Sequence, residues 1–249
     1  MKILSYGNKV NPTILLIHGF QSPYQVWNSF IDVFKEKYYI LVPVLAGHNV
    51  GTLDDSFCSF TSQAEFIEKY CKEKNINQIY AAYGMSMGGV LLAHLWERNH
   101  LSISKYVFDG SPLRGMPLIG FFKYWYKSIT HKAKKRNPKV IKQAENTIIS
   151  KTLMPEFLEL LDHMSDHTIE QYLDAVGKYR LPEKLSTENK VYYLHGTLGN
   201  EMMAQKSAKF IKKHYPNAEI ITMHGKGHCE FALLEPDKMF ELLNTYSIM

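Results

Sequence analysis

The sequence predicts an α/β protein with a parallel sheet that is covered by helices on both faces and carries a long helical insertion. Short apolar runs alternate with amphipathic stretches over residues 1–110, and the same alternation resumes at residue 190. Between them, residues 111–186 show helical periodicity without a convincing strand. Strands and helices that alternate through short connections are typical of a parallel sheet with helices on both sides. We therefore expect a core of residues 1–110 and 187–249, with residues 111–186 inserted as a helical cap.

Five apolar runs are the predicted strands of the first half. The run at residues 39–45 is continuously apolar, which is typical of a strand that is buried on both faces. The first two strands are joined by residues 7–12, where Gly, Asn and Pro favour a turn. The predicted strands cover residues 2–6, 13–17, 39–45, 76–83 and 105–109.

Capping residues and apolar spacing predict the helices between these strands. Ser22 is a good N-cap and Pro23 suits the first helical position, so a helix is expected to begin there. Ser62 and Glu65 are three residues apart and form the signature of a capping box at the start of the next helix. The predicted helices cover residues 22–37, 62–74 and 87–98.

The last part of the chain returns to alternating strands and helices. Strands are predicted at residues 190–194 and 218–223, with a helix at residues 201–215 between them. A closing helix is expected after Glu235, because Pro236 suits its first position. A core with one insertion agrees with the one to two domains expected for a chain of 249 residues.

Composition excludes several classes of protein. The chain is 45% apolar and 21% charged, which excludes a disordered chain, a collagen-like fibre and a disulfide-stapled miniprotein. Three widely spaced cysteines, Cys58, Cys71 and Cys229, indicate neither a disulfide framework nor a thiolate metal site. The first residues lack the apolar core of a signal peptide, and no apolar run approaches the roughly 18 residues that cross a bilayer. We expect a soluble, cytoplasmic protein.

Residues 84–88 read Gly-Met-Ser-Met-Gly, the G-x-S-x-G form of a turn that presents a nucleophilic serine. The motif directly follows the strand that ends at Tyr83 and directly precedes the helix that starts at Met87, which is the setting that it needs. Side chains at the two glycine positions would clash in so tight a turn. We predict that Ser86 is the nucleophile, at a helix N-terminus where free N–H groups stabilise an oxyanion.

The loop after the second strand begins with His18-Gly19-Phe20. A backbone N–H of this loop can supply one donor of an oxyanion hole, and the N–H of Met87 can supply the other. We assign the first donor to Phe20 and keep Gln21 as the alternative. The side chain of His18 is expected to hold loops in place rather than to act as a base.

His228 is the predicted general base. It ends the sequence Gly-Lys-Gly-His at residues 225–228, after the last predicted strand and before the final helix. A serine hydroxyl is a poor nucleophile and needs a base within hydrogen-bond reach. Among the 11 histidines, His195 and His224 lie at strand ends nearby and are the competing candidates.

These motifs resemble those of the α/β-hydrolase superfamily, in its capped esterase or lipase-like branch. The helical insertion falls where that family carries its cap. The resemblance implies a mostly parallel sheet of about eight strands and hydrolysis through an acyl-serine intermediate, with no cofactor or metal. The matching segments occur in the family's order over nearly the whole chain: His18-Gly19-Phe20, Leu45-Ala46-Gly47-His48, Gly84-Met85-Ser86-Met87-Gly88, His195-Gly196-Thr197 and Gly225-Lys226-Gly227-His228.

The sequence departs from the family pattern at two places. Residues 43–49 read Pro-Val-Leu-Ala-Gly-His-Asn where many relatives have P-D-L-P-G-H-G, which affects a loop near the site. Relatives place the triad aspartate three residues after the glycine of the His-Gly motif, and this chain has Gly199 there. Because glycine cannot supply the carboxylate that orients the base, the acid must lie elsewhere.

Two carboxylates are the main candidates for this acid. Glu201 lies two residues further along the same loop, and its longer side chain could reach His228. Asp109 ends the preceding strand, a position that some lipases of this fold use. Either carboxylate could fix the tautomer of the base and stabilise its imidazolium form. We favour Glu201, keep Asp109 as its rival and regard Glu230 as a third candidate.

The insertion contains two groups of large apolar residues. Aromatic residues cluster at positions 121–126, and Met, Phe and Leu residues follow at helical spacing between positions 154 and 164. Such side chains either line an apolar acyl pocket over the nucleophile or form the contact face between cap and core. The residues that we expect to contact substrate are Gln21, Phe121, Phe122 and Trp125.

The net charge of +5 is unevenly distributed. The segment from Gly110 to Ala144 has no acidic residue and carries a charge of +9, so the rest of the chain sums to −4. This segment is either a solvated helix face or a surface that attracts an anionic substrate or anionic lipid. Nucleic-acid binding is not expected, because no recognition motif accompanies the charge. The basic residues are Arg114, Lys123, Lys127, Lys132, Lys134, Lys135, Arg136, Lys139 and Lys142.

Together these residues predict a serine hydrolase that cleaves small or medium apolar acyl esters. One alternative keeps the same catalytic residues but cleaves a thioester, a lysophospholipid ester, an amide or a C–C bond. Another alternative is a non-catalytic ligand receptor on the same fold, because function depends on the site rather than on the fold. This alternative stays open because Gly199 stands where relatives have the triad aspartate.

Overall fold

The strands of the described residues form one eight-stranded sheet. The computed structural model describes residues 1–51, 56–185 and 188–249, so the predicted domain boundary between residues 186 and 187 lies outside the described residues. The strands are β1 (Lys2–Tyr6), β2 (Thr13–Ile17), β3 (Tyr39–Val44), β4 (Gln78–Met85), β5 (Ser102–Ile103), β6 (Lys105–Asp109), β7 (Lys190–Gly196) and β8 (Glu219–Met223). Their order across the sheet is β1-β3-β2-β4-β6-β7-β8, and the short β5 pairs with β4.

Parallel pairing dominates the sheet, as predicted. Only β1 runs antiparallel among the described strands, and its Lys2 lies opposite Val44 of β3. Because β1 and β2 both pair with β3, the turn between them joins strands that are not neighbours. The carboxyl ends of β2, β3, β4, β6, β7 and β8 therefore meet at one edge of the sheet, where open α/β sheets place their ligand sites.

Helices cover both faces of the sheet. Outside the stretch between β6 and β7, they are α1 (Asn28–Phe34), α2 (Phe60–Glu73), α3 (Met87–Arg98), α8 (Met202–His214), α9 (Glu230–Leu234) and α10 (Pro236–Thr245). Ile14 and Leu16 of β2 belong to the apolar cluster formed with α1 and α10, whereas Leu15 and Ile17 belong to the one formed with α2, α3 and α8. All four side chains are fully buried, and burial of such a side chain contributes about 1.5–3 kcal/mol.

Four α-helices lie between β6 and β7 in the described part of the chain. They are α4 (Ile119–Lys134), α5 (Pro138–Thr147), α6 (Met154–His163) and α7 (Asp166–Lys178). Leu160 and Met164 form a small apolar cluster with Ile169 and Leu173 of α7, and Phe20 packs against this cluster from the core. No helix of the described residues is long and apolar enough to cross a membrane.

Several predicted boundaries differ from the structure. The capping box of α2 is formed by Ser59 and Ser62, so Ser62 is the third helical residue rather than the N-cap. Ser22 caps no helix, because Pro23 leads instead into a 3-10 helix, Tyr24–Trp27, and α1 begins at Asn28. The sequence analysis did not predict β5 and α9, because a strand of two residues and a helix of five are too short to show a characteristic spacing.

Candidate active site

The loops at the carboxyl edge of the sheet bring the predicted site residues together. Ser86 follows β4, Asp109 ends β6, and Glu201 follows β7. His228 follows β8, and the loop that begins at His18 follows β2. Because β4, β6, β7 and β8 are consecutive neighbours in the sheet, side chains that are up to 142 residues apart in sequence lie within contact distance.

Ser86 lies in a sharp turn between β4 and α3. Its backbone has φ +53° and ψ −120°, a conformation that costs about 1–3 kcal/mol and that clusters at functional sites. The Ser86 N–H donates to the carbonyl of Asp109 at 2.7 Å, which holds the turn. A Cβ on Gly84 would come within 2.6 Å of Gly89 Cα, and a Cβ on Gly88 within 2.5 Å of the Ile17 carbonyl oxygen. The steric requirement for these two glycines agrees with the prediction.

Ser86, His228 and Glu201 form a continuous chain of hydrogen bonds. The Oγ of Ser86 lies 2.8 Å from Nε2 of His228. On the other side of the ring, Nδ1 of His228 lies 2.5 Å from Oε1 of Glu201. The His228 side chain is 29% exposed, whereas Glu201 is fully buried. This arrangement orients a base toward a hydroxyl and a carboxylate toward the base.

The position of Glu201 is set by the turn after β7. A 3-10 helix at Gly199–Glu201 follows the strand, and the Glu201 N–H donates to the carbonyl of Leu198 at 3.0 Å. The side chain then turns back toward the strand, so its Oε2 accepts the N–H of Gly196 at 2.8 Å. Both carboxylate oxygens are therefore engaged, and the carboxylate is held rigidly beside the imidazole.

The environment of His228 favours its protonated form. Burial lowers the pKa of the imidazole, but the hydrogen bond and the negative charge of Glu201 outweigh burial, and Asp109 adds to them. The pKa of His228 is therefore raised above its ordinary value. A carboxylate that stabilises the imidazolium makes the ring a better acceptor of a serine proton.

Asp109 is not in contact with Nδ1 of His228, which faces Glu201. The hydroxyl of Tyr83 donates to Oδ2 of Asp109 at 2.7 Å, and Oδ1 is buried without a partner among the described residues. Burial raises the pKa of Asp109 to about 7, the hydrogen bond from Tyr83 opposes this rise, and the charge of Glu201 adds to it. The structure thus brings the favoured candidate Glu201 to the base, whereas the carboxylate of Asp109 contacts Tyr83.

His18, His195 and Glu230 have other partners, and the competing candidate His224 is exposed. His18 is fully buried, its Nδ1 contacts the carbonyl of Gly19 at 2.9 Å, and burial lowers its pKa to about 4. His195 contacts its neighbours Gly196 and Thr222. Glu230 accepts the N–H of Gly227 and pairs with Lys226. In the described residues, no group of three or more His, Cys, Asp or Glu side chains could hold a metal ion.

The predicted oxyanion donors belong to two segments that adjoin Ser86, the start of α3 and the loop after β2. Met87 is the first residue of α3, where backbone N–H groups have no intrahelical acceptor. A Cβ on Gly19 would lie 3.3 Å from the Cβ of Ser86, so the loop that contains Phe20 passes close to the serine. No described residue accepts the N–H of Phe20, whereas the N–H of Gln21 donates to Nε2 of His48 at 3.0 Å. Of the two candidate donors, the N–H of Phe20 is therefore free of a described acceptor, and that of Gln21 is engaged with His48.

Residues that were not predicted surround Phe20. Its ring contacts Tyr126 of α4 at 5.4 Å, Tyr172 of α7 at 5.6 Å and His48 at 6.1 Å between ring centroids. The hydroxyl of Tyr172 donates to the carbonyl of Ala46 at 2.7 Å. His48 belongs to a motif already noted in the sequence, but nothing in the sequence relates the two tyrosines to this loop.

The predicted substrate-contacting residues are divided between two environments. Gln21 is 9% exposed and its side chain contacts Thr130 of α4. Phe121 and Trp125 are 61% and 41% exposed on α4, and Phe122 is half-buried against the ring of Phe121. Tyr126 is the aromatic residue of this group in ring contact with Phe20. A role of Phe121, Phe122 and Trp125 in substrate binding stays a prediction.

Acidic residues of α6 and α7 neutralise part of the basic segment. Residues 111–185 hold 13 Lys or Arg and 8 Asp or Glu, so this region carries a net charge of +5. The segment from Gly110 to Ala144 alone carries +9. Lys132, Lys135, Lys139 and Lys142 are exposed. Attraction of an anionic partner stays a prediction that rests on these lysines. The ion pairs are Lys123–Asp174 at 2.6 Å, Lys127–Glu170 at 2.5 Å and Arg136–Asp162 at 2.6 Å.

Comparison with solved structures identifies the fold. A putative α/β hydrolase family protein from Desulfitobacterium hafniense has 22% sequence identity and a TM-score of 0.77, over 98% of this chain and 99% of that chain. A structure from a study of carboxylesterases of Nitrososphaera gargenis has 15% identity and a TM-score of 0.74, over 99% and 93% of the two chains. An esterase from Exiguobacterium antarcticum has 16% identity and a TM-score of 0.71, over 99% and 95%.

No family model and no curated protein matches the sequence. The chain has the α/β-hydrolase fold, as the motifs predicted.

Proposed function

We propose that this protein is a serine hydrolase that cleaves small or medium apolar carboxylic esters. The observation that carries the proposal is the hydrogen-bonded chain from Ser86 Oγ through His228 to Glu201, with distances of 2.8 Å and 2.5 Å. A serine, a base and an orienting carboxylate in this arrangement recur in hydrolases of unrelated folds, so the arrangement rather than the fold supports the activity.

The proposed reaction has two steps. Ser86 Oγ attacks the ester carbonyl while His228 Nε2 takes the hydroxyl proton, and the N–H groups of Phe20 and Met87 stabilise the oxyanion that forms. The imidazolium then protonates the leaving alcohol, and an acyl-serine remains. Water attacks this intermediate with His228 again as the base, which releases the acid and restores Ser86. Glu201 keeps the proton of the neutral ring on Nδ1 and stabilises the imidazolium in each step.

Two observations support an ester as the substrate. Several solved structures of the same fold are described as esterases or carboxylesterases. The apolar cluster of Leu160, Met164, Ile169 and Leu173 also packs against Phe20, which places apolar side chains near the proposed oxyanion hole. We infer that α4–α7 act as a cap which supplies an apolar environment for the acyl chain.

A fluorophosphonate probe tests the proposal directly, because it labels an activated serine. We expect the native protein to be labelled at Ser86 and to hydrolyse p-nitrophenyl esters, with a preferred acyl length. The Ser86→Ala variant, which is matched in size, should lose both properties. A folded native protein without labelling would refute the serine-hydrolase proposal. Labelling without ester turnover would instead favour a thioesterase, amidase or C–C hydrolase, or a ligand-binding receptor.

A further inference from the structure

Gln21 connects the loop that contains Phe20 to two other parts of the molecule. Its side chain is 9% exposed, and its backbone has φ +53°, which is unusual for a residue other than glycine. The N–H of Gln21 donates to Nε2 of His48 at 3.0 Å. Its side-chain amide donates to the hydroxyl of Thr130 at 2.8 Å, across 109 residues of sequence. The residue next to Phe20 is therefore held from both its backbone and its side chain.

Thr130 is built to receive this hydrogen bond. It lies in α4, it is fully buried, and its hydroxyl donates to the carbonyl of Tyr126 at 2.8 Å. Because the hydroxyl proton is used within the helix, the oxygen is oriented as an acceptor toward Gln21. The contact replaces water for two buried polar groups, and an unpaired buried partner would cost about 1–3 kcal/mol.

His48 holds the backbone end of the same residue. Its Nδ1 lies 3.0 Å from the carbonyl of Ala46, so Nδ1 carries the proton and Nε2 accepts from Gln21. Burial lowers the pKa of His48 well below its ordinary value, and the neighbouring His18 adds to this effect, which keeps Nε2 available as an acceptor. The same carbonyl of Ala46 accepts the hydroxyl of Tyr172, so α7 holds the other end of the network.

We propose that Gln21 and Thr130 are positioning residues, through which α4 holds the Phe20 N–H in the orientation that stabilises the oxyanion. The inference rests on the proposed serine-hydrolase function. The positive φ of Gln21 is strained, and such a conformation persists only where surrounding contacts impose it. Without the Thr130 hydroxyl, the side-chain amide of Gln21 keeps only its longer contact with Met164 Sδ at 3.8 Å among the described residues, and the backbone that follows Phe20 can relax. An N–H that moves away from the developing oxyanion weakens binding of the transition state more than binding of the substrate.

The test is the Thr130→Val variant, which removes the hydroxyl and preserves the shape of the side chain. We expect kcat for a p-nitrophenyl ester to fall by about tenfold, less than the 10²–10³ that follows complete loss of an oxyanion donor. KM should change less than about twofold. The inhibition constant of phenylboronic acid, which forms a tetrahedral adduct with the serine, should rise by the same factor as kcat falls. Thr130→Ser retains the hydroxyl and should restore both values.

Lys127→Gln is the matched control, since Lys127 joins α4 to Glu170 of α7 at 2.5 Å without a contact to the loop. It should leave kcat unchanged, which separates the proposed effect from a general loosening of α4. Gln21→Met is a second variant if Thr130→Val does not fold, and it should show the same loss of kcat.

Unchanged kcat in folded Thr130→Val, or an equal loss in Lys127→Gln, would overturn the inference while leaving the proposed function intact. A native protein without fluorophosphonate labelling or turnover would overturn both.

Discussion

Replacement of Glu201 by Gln separates the two carboxylates that lie near His228. In the native site, Oε1 of Glu201 faces Nδ1 of His228 at 2.5 Å and Oε2 accepts the Gly196 N–H at 2.8 Å. A glutamine keeps its oxygen toward Gly196, so its NH₂ group faces Nδ1. The imidazole must then carry its proton on Nε2, where it can no longer accept the proton of Ser86.

The expected loss follows from this change of tautomer. An amide in place of the orienting carboxylate of a serine triad lowers kcat by about 10³–10⁴, or about 4–5.5 kcal/mol of transition-state stabilisation. The hydrogen bond to Gly196 survives, so stability should change by no more than about 1 kcal/mol. Turnover of a p-nitrophenyl ester, together with a thermal melt followed by circular dichroism, measures the two effects separately.

Asp109→Asn is the matched control for this variant. Asp109 interacts with Tyr83 and does not contact Nδ1 of His228, so an asparagine at this position should reduce kcat by less than about tenfold.

The pH profile of Glu201→Gln provides a second check. The acid limb of its residual rate should lie at a lower pH than in the native protein, because burial lowers the pKa of His228 once the carboxylate is gone. A loss of 10³ or more in Asp109→Asn with normal turnover in Glu201→Gln would refute the assignment of the acid.

Three further predictions follow from the same geometry. Since His228 must be neutral to accept a proton and its pKa is raised, the acid limb of kcat/KM should have its inflection above pH 6.5, and an inflection below that value would contradict the contact with Glu201. Gly88→Ala should lower the free energy of unfolding, measured with urea, by about 1–3 kcal/mol, because its Cβ would lie 2.5 Å from a backbone oxygen. Gly120→Ala is the control: its Cβ would meet open space, so the substitution should be neutral or stabilising. Turnover of an anionic ester should fall with added salt, because residues 111–185 carry a net charge of +5. An equal response of a neutral ester would show that the lysines of this region do not attract substrate and are only solvated.

Features that depend on neighbouring residues could be predicted from the sequence. The alternation of strands and helices is confirmed, because short continuous apolar runs and helical spacing are local properties of the chain. The turn at Ser86 is another local property, since Gly84 and Gly88 are required within five residues of each other. The predicted boundaries were less accurate. Ser59 caps α2 instead of Ser62, and the sequence could not distinguish them because either serine can cap a helix.

The choice between two carboxylates depended on distances that local patterns do not encode. Glu201 and Asp109 both follow or end strands next to His228, so their places in the chain left both open. The 3-10 turn after β7 brings Glu201 back under Gly196 and against the imidazole, whereas the side chain of Asp109 contacts the hydroxyl of Tyr83. Side-chain direction at the end of a strand is a result of packing, which only the folded chain defines.

The sequence by itself determined the α/β class, the strand-to-helix turn at Ser86 and the place of His228 after the last strand, because spacing and sterics within short segments dictate them. The tertiary structure alone decided that Glu201 faces the imidazole, that acidic residues of α6 and α7 neutralise part of the basic segment, and that Gln21 meets Thr130. These contacts join residues 26 to 109 positions apart. Their existence depends on how sheet and helices pack, and no local period in the chain specifies that packing.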